Sequence, residues 1–218
     1  MKYTTLLFDL DGTLTDSGPG IMNCVKYMLE HYGITEYTEA QLRACVGPPL
    51  TESFMRFWGF DYPTALEAVE VYRERYKPVG IFENSVYDGI PEALCAFRDA
   101  GARLYVATSK PTFMAERVLE HFGLREYFTK IAGATEDERL NRKDDIIEDL
   151  LLRLNLSPEE RRRCVMIGDR KYDVAGGRKF GLDTVGVYYG YAEAGELEAA
   201  GATHVVDTVE ALRTLLLA

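Results

Sequence analysis

The chain has 218 residues, 47% of them hydrophobic, enough for one large core or for one core with a smaller appended unit. Its 25 basic and 35 acidic residues give a formal net charge of −10, which argues against nucleic acid polymers and anionic membranes as partners. No apolar run approaches the ~20 residues of a membrane helix, and MKYTTLLFDLDG turns acidic too early for a secretory leader, so a cytoplasmic protein is expected.

Residues 3–9, YTTLLFD, predict a buried strand without helical period. The stretch from 15 to 83 then shows no buried strand. VKYMLEHYG, EAQLRACVG, TESFMRFWG and TALEAVEVYRERYK carry apolar residues at helical spacing, and the first three end in glycine, a helix stop. They predict a bundle of about four helices, with Tyr27, Phe54, Phe57, Trp58, Tyr72 and Tyr76 in its core. From there strands and helices alternate. Strands are predicted at 102–108, 128–134, 164–168, 184–189 and 204–206, and helices at 89–99, 111–122, 143–154, 171–180 and 209–217. EERRRC, Glu159 to Cys164, reads as a solvated turn and helix end. Alternating short strands and helices of this length indicate βαβ units. The predicted fold is therefore α/β: a doubly wound, parallel-sheet, Rossmann-like core of residues 1–14 and 84–218, with an inserted all-helical cap domain of residues 15–83.

Four cysteines (Cys24, Cys45, Cys95, Cys164) and three histidines (His31, His121, His204) are scattered, with no C-x-x-C pair, and predict reduced thiols and packing or surface histidines. Chemistry is expected where an open parallel sheet binds ligands, beyond the carboxyl ends of its strands. The first strand brings Asp9 and Asp11 there, followed by Gly12. Asp-Gly is also a hairpin signal, but TLTDSGPGI, with two glycines and a proline, makes a poor returning strand. Residues i and i+2 of a strand share a side, so both carboxylates could address one ligand. The second core strand brings Thr108 and Ser109, which read either as a helix cap before Pro111 or as an anion site. The third is followed by a polar loop, ATEDERLNRKDD, that carries Lys143 into a helix start, the wrong end for a cation by the dipole argument. The fourth delivers GDRKYD, in which Asp169 and Asp173 read either as a cap with a first-turn acid or as ligands of a divalent metal. Together these groups suit phosphoryl transfer. An aspartate attacks phosphorus, a hard cation such as Mg²⁺ and a lysine offset phosphoryl charge, and a second carboxyl carries the proton.

FDLDGT at 8–13, VATSK at 106–110, Lys143 and GDRKYD at 168–173 resemble, in order and separation, the haloacid dehalogenase-like phosphohydrolases. The helical insert after the first motif is similar to the cap of the phosphoglycolate phosphatase or 5′-nucleotidase branch, as is VGPPL at 46–50. The resemblance implies Asp9 as nucleophile and metal ligand, and Asp11 as general acid/base with its backbone carbonyl on Mg²⁺. It implies Gly12, Thr108, Ser109 and Lys143 at the phosphoryl group, with Lys143 bridging that group and Asp9, and Asp169 and Asp173 in the metal shell. Many relatives carry Asn where this chain has Ser109, and Asp11 argues against a true dehalogenase. The expected activity is Mg²⁺-dependent hydrolysis of a small phosphorylated metabolite, phosphoglycolate phosphatase-like, by a monomer or homodimer. A 5′-nucleotidase, a β-phosphoglucomutase-type phosphomutase and a phospho-acceptor signalling domain are the alternatives. Asn23, Lys26, Arg43 and Arg56 are candidate substrate contacts of the cap.

Overall fold

The core strands are short, near-continuous apolar runs buried on both faces, as parallel strands covered by helices are. In a computed structural model that describes residues 1–135 and 140–218, six strands pair in parallel. Residues 136–139, within the polar loop expected ahead of Lys143, lie outside the described residues. The six are β1 (Thr5–Phe8), β4 (Arg103–Pro111), β5 (Lys130–Ala134), β6 (Cys164–Gly168), β7 (Asp183–Val187) and β8 (His204–Val206). Their order is β5-β4-β1-β6-β7-β8. β1 is central, and the chain steps outward from it in both directions, which makes the carboxyl ends of β4, β1 and β6 the switch point of the fold.

On one face Leu7, Tyr105, Ala107, Ala132, Ala134, Cys164 and Met166 pack on Ile146, Ile147, Leu150 and Leu151 of the helix Lys143–Leu154. On the other, the Phe8 ring stacks 6.2 Å from Phe97, in the helix Ile90–Asp99, and meets Phe128 edge-on at 6.2 Å. The helices Thr112–His121, Lys171–Lys179 and Val209–Leu217 complete the core, with edges within about a residue or two of those expected. Glu159–Cys164 differs more. Pro158–Arg162 is a short helix opened by a Ser157/Glu160 capping box, and Cys164 already belongs to β6.

The chain divides into two compact units, Met1–Thr15 with Val86–Ala218 and Asp16–Ser85. Both crossings run through a two-stranded sheet of β2 (Thr15–Asp16) and β3 (Ser85–Val86). The inserted unit is helical: Gly18–His31, Glu39–Arg43, Leu50–Trp58 and Tyr62–Tyr76. Its core takes Val25, Met28, Leu29, Phe54, Val69, Tyr72 and Tyr76. Tyr27 is a correction: it is exposed, because it lies about 100° off the stripe of Ile21, Cys24, Val25 and Met28. Phe57 and Trp58 are only partly buried. All four cysteines are free thiols. Among the described residues no helix is long and apolar enough to cross a membrane.

Candidate active site

β1 ends at Phe8, and Asp9 continues its pairing only through its N–H, which donates to Ile167 O at 2.9 Å. The Asp9 carboxylate accepts from Leu10 N at 2.7 Å. The chain then turns sharply, with the N–H groups of Thr13, Leu14 and Thr15 all directed at Leu10 O. Gly12 makes this possible: its φ is +81°, and a Cβ there would lie 2.2 Å from Asp169 Oδ2. Asp9 and Asp11 are therefore not the same-side i, i+2 residues of one extended strand that their spacing predicts. Asp11 is reached by a turn rather than by an extending strand, and the two carboxylates have different partners. Lys143 Nζ lies 2.8 Å from Asp9 Oδ1, whereas Lys110 Nζ lies 2.8 and 2.7 Å from the two oxygens of Asp11.

Lys143 is the first residue of its helix and is buried. Its ammonium forms ion pairs with Asp9 and with Asp173 Oδ1, the latter at 2.9 Å, and donates a hydrogen bond to Ala107 O at 3.0 Å. Burial by itself would lower the pKa of this ammonium, but the charges of Asp173 and Asp9 outweigh that and raise it above its ordinary value. The unfavourable helix-start position is thus offset by two carboxylates.

Asp169 follows β6 directly and is not the helix cap; Arg170 holds that position. Asp169 accepts from Tyr191 N at 2.8 Å and from the Thr13 hydroxyl at 3.3 Å. Burial, then the charges of Asp173 and Asp9, push its pKa well above the usual carboxylate range. Asp173 does act as a first-turn acid, accepting from Arg170 N at 3.0 Å, and it also faces Lys143. Burial raises its pKa, Lys143 pulls it back and Asp9 raises it again, leaving it at about 6.

Thr108 and Ser109 do not cap the following helix. β4 runs on to Pro111, which holds the N-cap position, and the helix starts at Thr112. The register of β4 against β5 slips here, from Thr108 opposite Gly133 to Pro111 opposite Ala134. In this bulge the buried Thr108 hydroxyl accepts from Lys110 N at 3.3 Å, while Ser109 is half-buried. Sequence reasoning gave no role to Lys110, Thr13 or Tyr191. Only Lys110 left a signal, as a cation at the end of an apolar strand.

In the inserted unit Asn23 Nδ2 donates to Glu83 at 3.4 Å, Arg56 lies over the Phe57 ring at 5.0 Å, and Lys26 and Arg43 are exposed.

Asp9, Asp169 and Asp173 each offer an oxygen within 4.8 Å of the others, all three buried. An oxygen-only donor set of this kind fits a hard divalent cation. Two lysines pair with three of the four carboxylates here, and burial, followed by the mutual repulsion of the acids, raises the pKa values of Asp169 and Asp173.

The family described as haloacid dehalogenase-like hydrolase matches residues 6–187. The chain is 43% identical over 216 residues to a 5′-nucleotidase of Pseudomonas aeruginosa, covering 99% of this chain and 96% of that one. It is 40% identical to the tyrosine-protein kinase PtkA of Mycobacterium tuberculosis, covering 97% and 72%. It is 32% identical to a plasmid-borne phosphoglycolate phosphatase of Cupriavidus necator, covering 99% and 94%. The crystal structure of a predicted phosphatase from Clostridium acetobutylicum superposes with a TM-score of 0.94 at 45% identity, covering 99% and 98%.

Proposed function

The chain belongs to the haloacid dehalogenase-like hydrolases, and from its site we infer that it is a Mg²⁺-dependent phosphatase of small phosphomonoesters working through an aspartyl-phosphate. The observation that carries this reading is the buried cluster of Asp9, Asp169 and Asp173 with Lys143 spanning two of its members. Asp9 Oδ2 attacks phosphorus while Lys143 holds Oδ1, and the bond to the leaving oxygen breaks as the new O–P bond forms. Asp11 gives its proton to the leaving oxygen and then takes one from the water that frees Asp9. Thr108 and Ser109, at the end of β4, orient the phosphoryl oxygens. Asp9, Asp169 and Asp173 would hold Mg²⁺, which supplies charge stabilisation to the phosphoryl group. Tyr191 N and the Thr13 hydroxyl orient Asp169 for that task.

Nucleoside 5′-monophosphates stand ahead of phosphoglycolate as substrates, because identity to the 5′-nucleotidase is 43% against 32%. Asn23, Lys26, Arg43 and Arg56 remain candidates for selecting the leaving group. The test is phosphate release from nucleoside monophosphates, phosphoglycolate and sugar phosphates with Mg²⁺, for wild type and Asp9→Asn. Metal-dependent release that the variant lacks is expected; full activity of the variant, or of wild type in chelator, refutes the reading. Isomerised sugar phosphate in place of free phosphate would point to a mutase, and a phosphoprotein without turnover to a signalling domain. Similarity to PtkA adds one control, transfer from ATP to protein tyrosine.

A further inference from the structure

We propose that Lys110 is a positioning residue for Asp11, fixing the carboxylate that serves the leaving group. The inference rests on the phosphatase reading above. The two side chains are 4% and 11% exposed, and Lys110 Nζ reaches both Asp11 oxygens, at 2.8 and 2.7 Å. A carboxylate offers about four lone-pair sites. One lysine contact per oxygen therefore sets the direction of the group and leaves sites on each oxygen for the leaving atom or for water.

The fold goes out of its way to place this lysine. On a regular strand, residues alternate between the two faces. Ala107 and Tyr105 face the cluster beneath the Lys143 helix, and continuing that alternation would put Ser109 on the same face and Lys110 on the opposite one. The bulge between Thr108 and Pro111 breaks the alternation just where Lys110 sits. Two contacts hold the bulge. Lys110 N donates to the Thr108 hydroxyl at 3.3 Å, and the facing strand supplies Gly133, where a Cβ would lie 2.4 Å from Lys110 O and 2.9 Å from Thr112 N. Gly133 N donates to the Thr112 hydroxyl at 3.1 Å, closing the same turn. A bulge tied down on both sides re-aims one side chain, and that side chain ends on Asp11.

Loss of the contact should harm esters that need an acid more than those that do not. An alkyl phosphate leaves as a poor alkoxide and requires the proton from Asp11, whereas p-nitrophenyl phosphate leaves as a stable phenolate. The test measures kcat/KM for a nucleoside 5′-monophosphate and for p-nitrophenyl phosphate with Mg²⁺, in wild type, Lys110→Met, Lys110→Arg and Gly133→Ala. In Lys110→Met the alkyl ester should lose on the order of 10²-fold, as when general acid help is withdrawn, and the aryl ester less than about tenfold. Lys110→Arg should restore the alkyl-to-aryl ratio to within about threefold of wild type, by keeping a cation on the carboxylate. Gly133→Ala, which presses on the Lys110 carbonyl and leaves the ammonium in place, should move the ratio in the same direction as Lys110→Met and serves if that variant fails to fold. An equal loss on both esters in Lys110→Met and Gly133→Ala overturns the positioning role alone. A wild type that hydrolyses neither ester overturns the phosphatase reading, and this inference with it.

Discussion

Asp173 carries a charge that the fold resists, and replacing it should stabilise the metal-free protein. Its carboxylate is buried, receives Lys143 and the Arg170 N–H, and yet titrates at about 6 against an ordinary 3.8. The folded-state pKa therefore lies above the unfolded one. Between about pH 4 and 6 the folded chain keeps a proton that the unfolded chain releases, so stability falls as pH rises through that window and stays reduced above it. The rise from the ordinary value to about 6 corresponds to a cost on the order of 3 kcal/mol at pH 7.5 and about half of that at pH 5. Asp173→Asn carries the neutral form and can still accept from Arg170 N. In chelator it should be more stable than wild type by those amounts. For a chain of this size about 2–4 °C accompany each kcal/mol, giving roughly 6–12 °C at pH 7.5. Thermal melts followed by circular dichroism at both pH values provide the assay. Added Mg²⁺ should narrow the gap, since an ion bound by Asp9, Asp169 and Asp173 stabilises only the intact cluster. Melting of Asp173→Asn below wild type in chelator at pH 7.5 would show that the attraction of Lys143 exceeds the cost of burial, and would refute the reasoning.

Two further outcomes follow from the same geometry. Lys143→Met leaves Asp9 and Asp173 buried without their cation, and chemical denaturation in chelator should show a loss of about 3–5 kcal/mol. Gly12→Ala forces a side chain into a backbone at φ +81° and to within 2.2 Å of Asp169 Oδ2. It should destabilise the fold by at least ~1 kcal/mol in denaturant melts and weaken Mg²⁺ binding in titration calorimetry.

The sites of Asp9, Asp169 and Asp173 were legible because each follows or closely trails an apolar run, and in a parallel sheet the ends of such runs converge. Lys143 was legible as a misplaced cation, and the family resemblance pointed it at Asp9; its contact with Asp173 was not legible. In the sequence it is one lysine at a helix start, and only folding puts Asp9 and Asp173 within 3 Å of its ammonium. Thr108 and Ser109 were placed at the correct strand end but given the wrong local structure. Pro111 looked like the first turn of a helix, and propensity cannot reveal a bulge that depends on a glycine in a neighbouring strand.

The sequence by itself determined the order of the six core strands and the main helices between them, the helical insert and the strand ends where the acidic residues gather. These rest on local periodicity, which a chain holds before it folds. Tertiary structure alone decided that Lys110 meets Asp11 and that Lys143 also meets Asp173. Asp9 and Asp11, two residues apart, receive Lys143 and Lys110 from different elements, because β1 stops at Phe8 and the turn at Gly12 separates what an extended strand would have kept together.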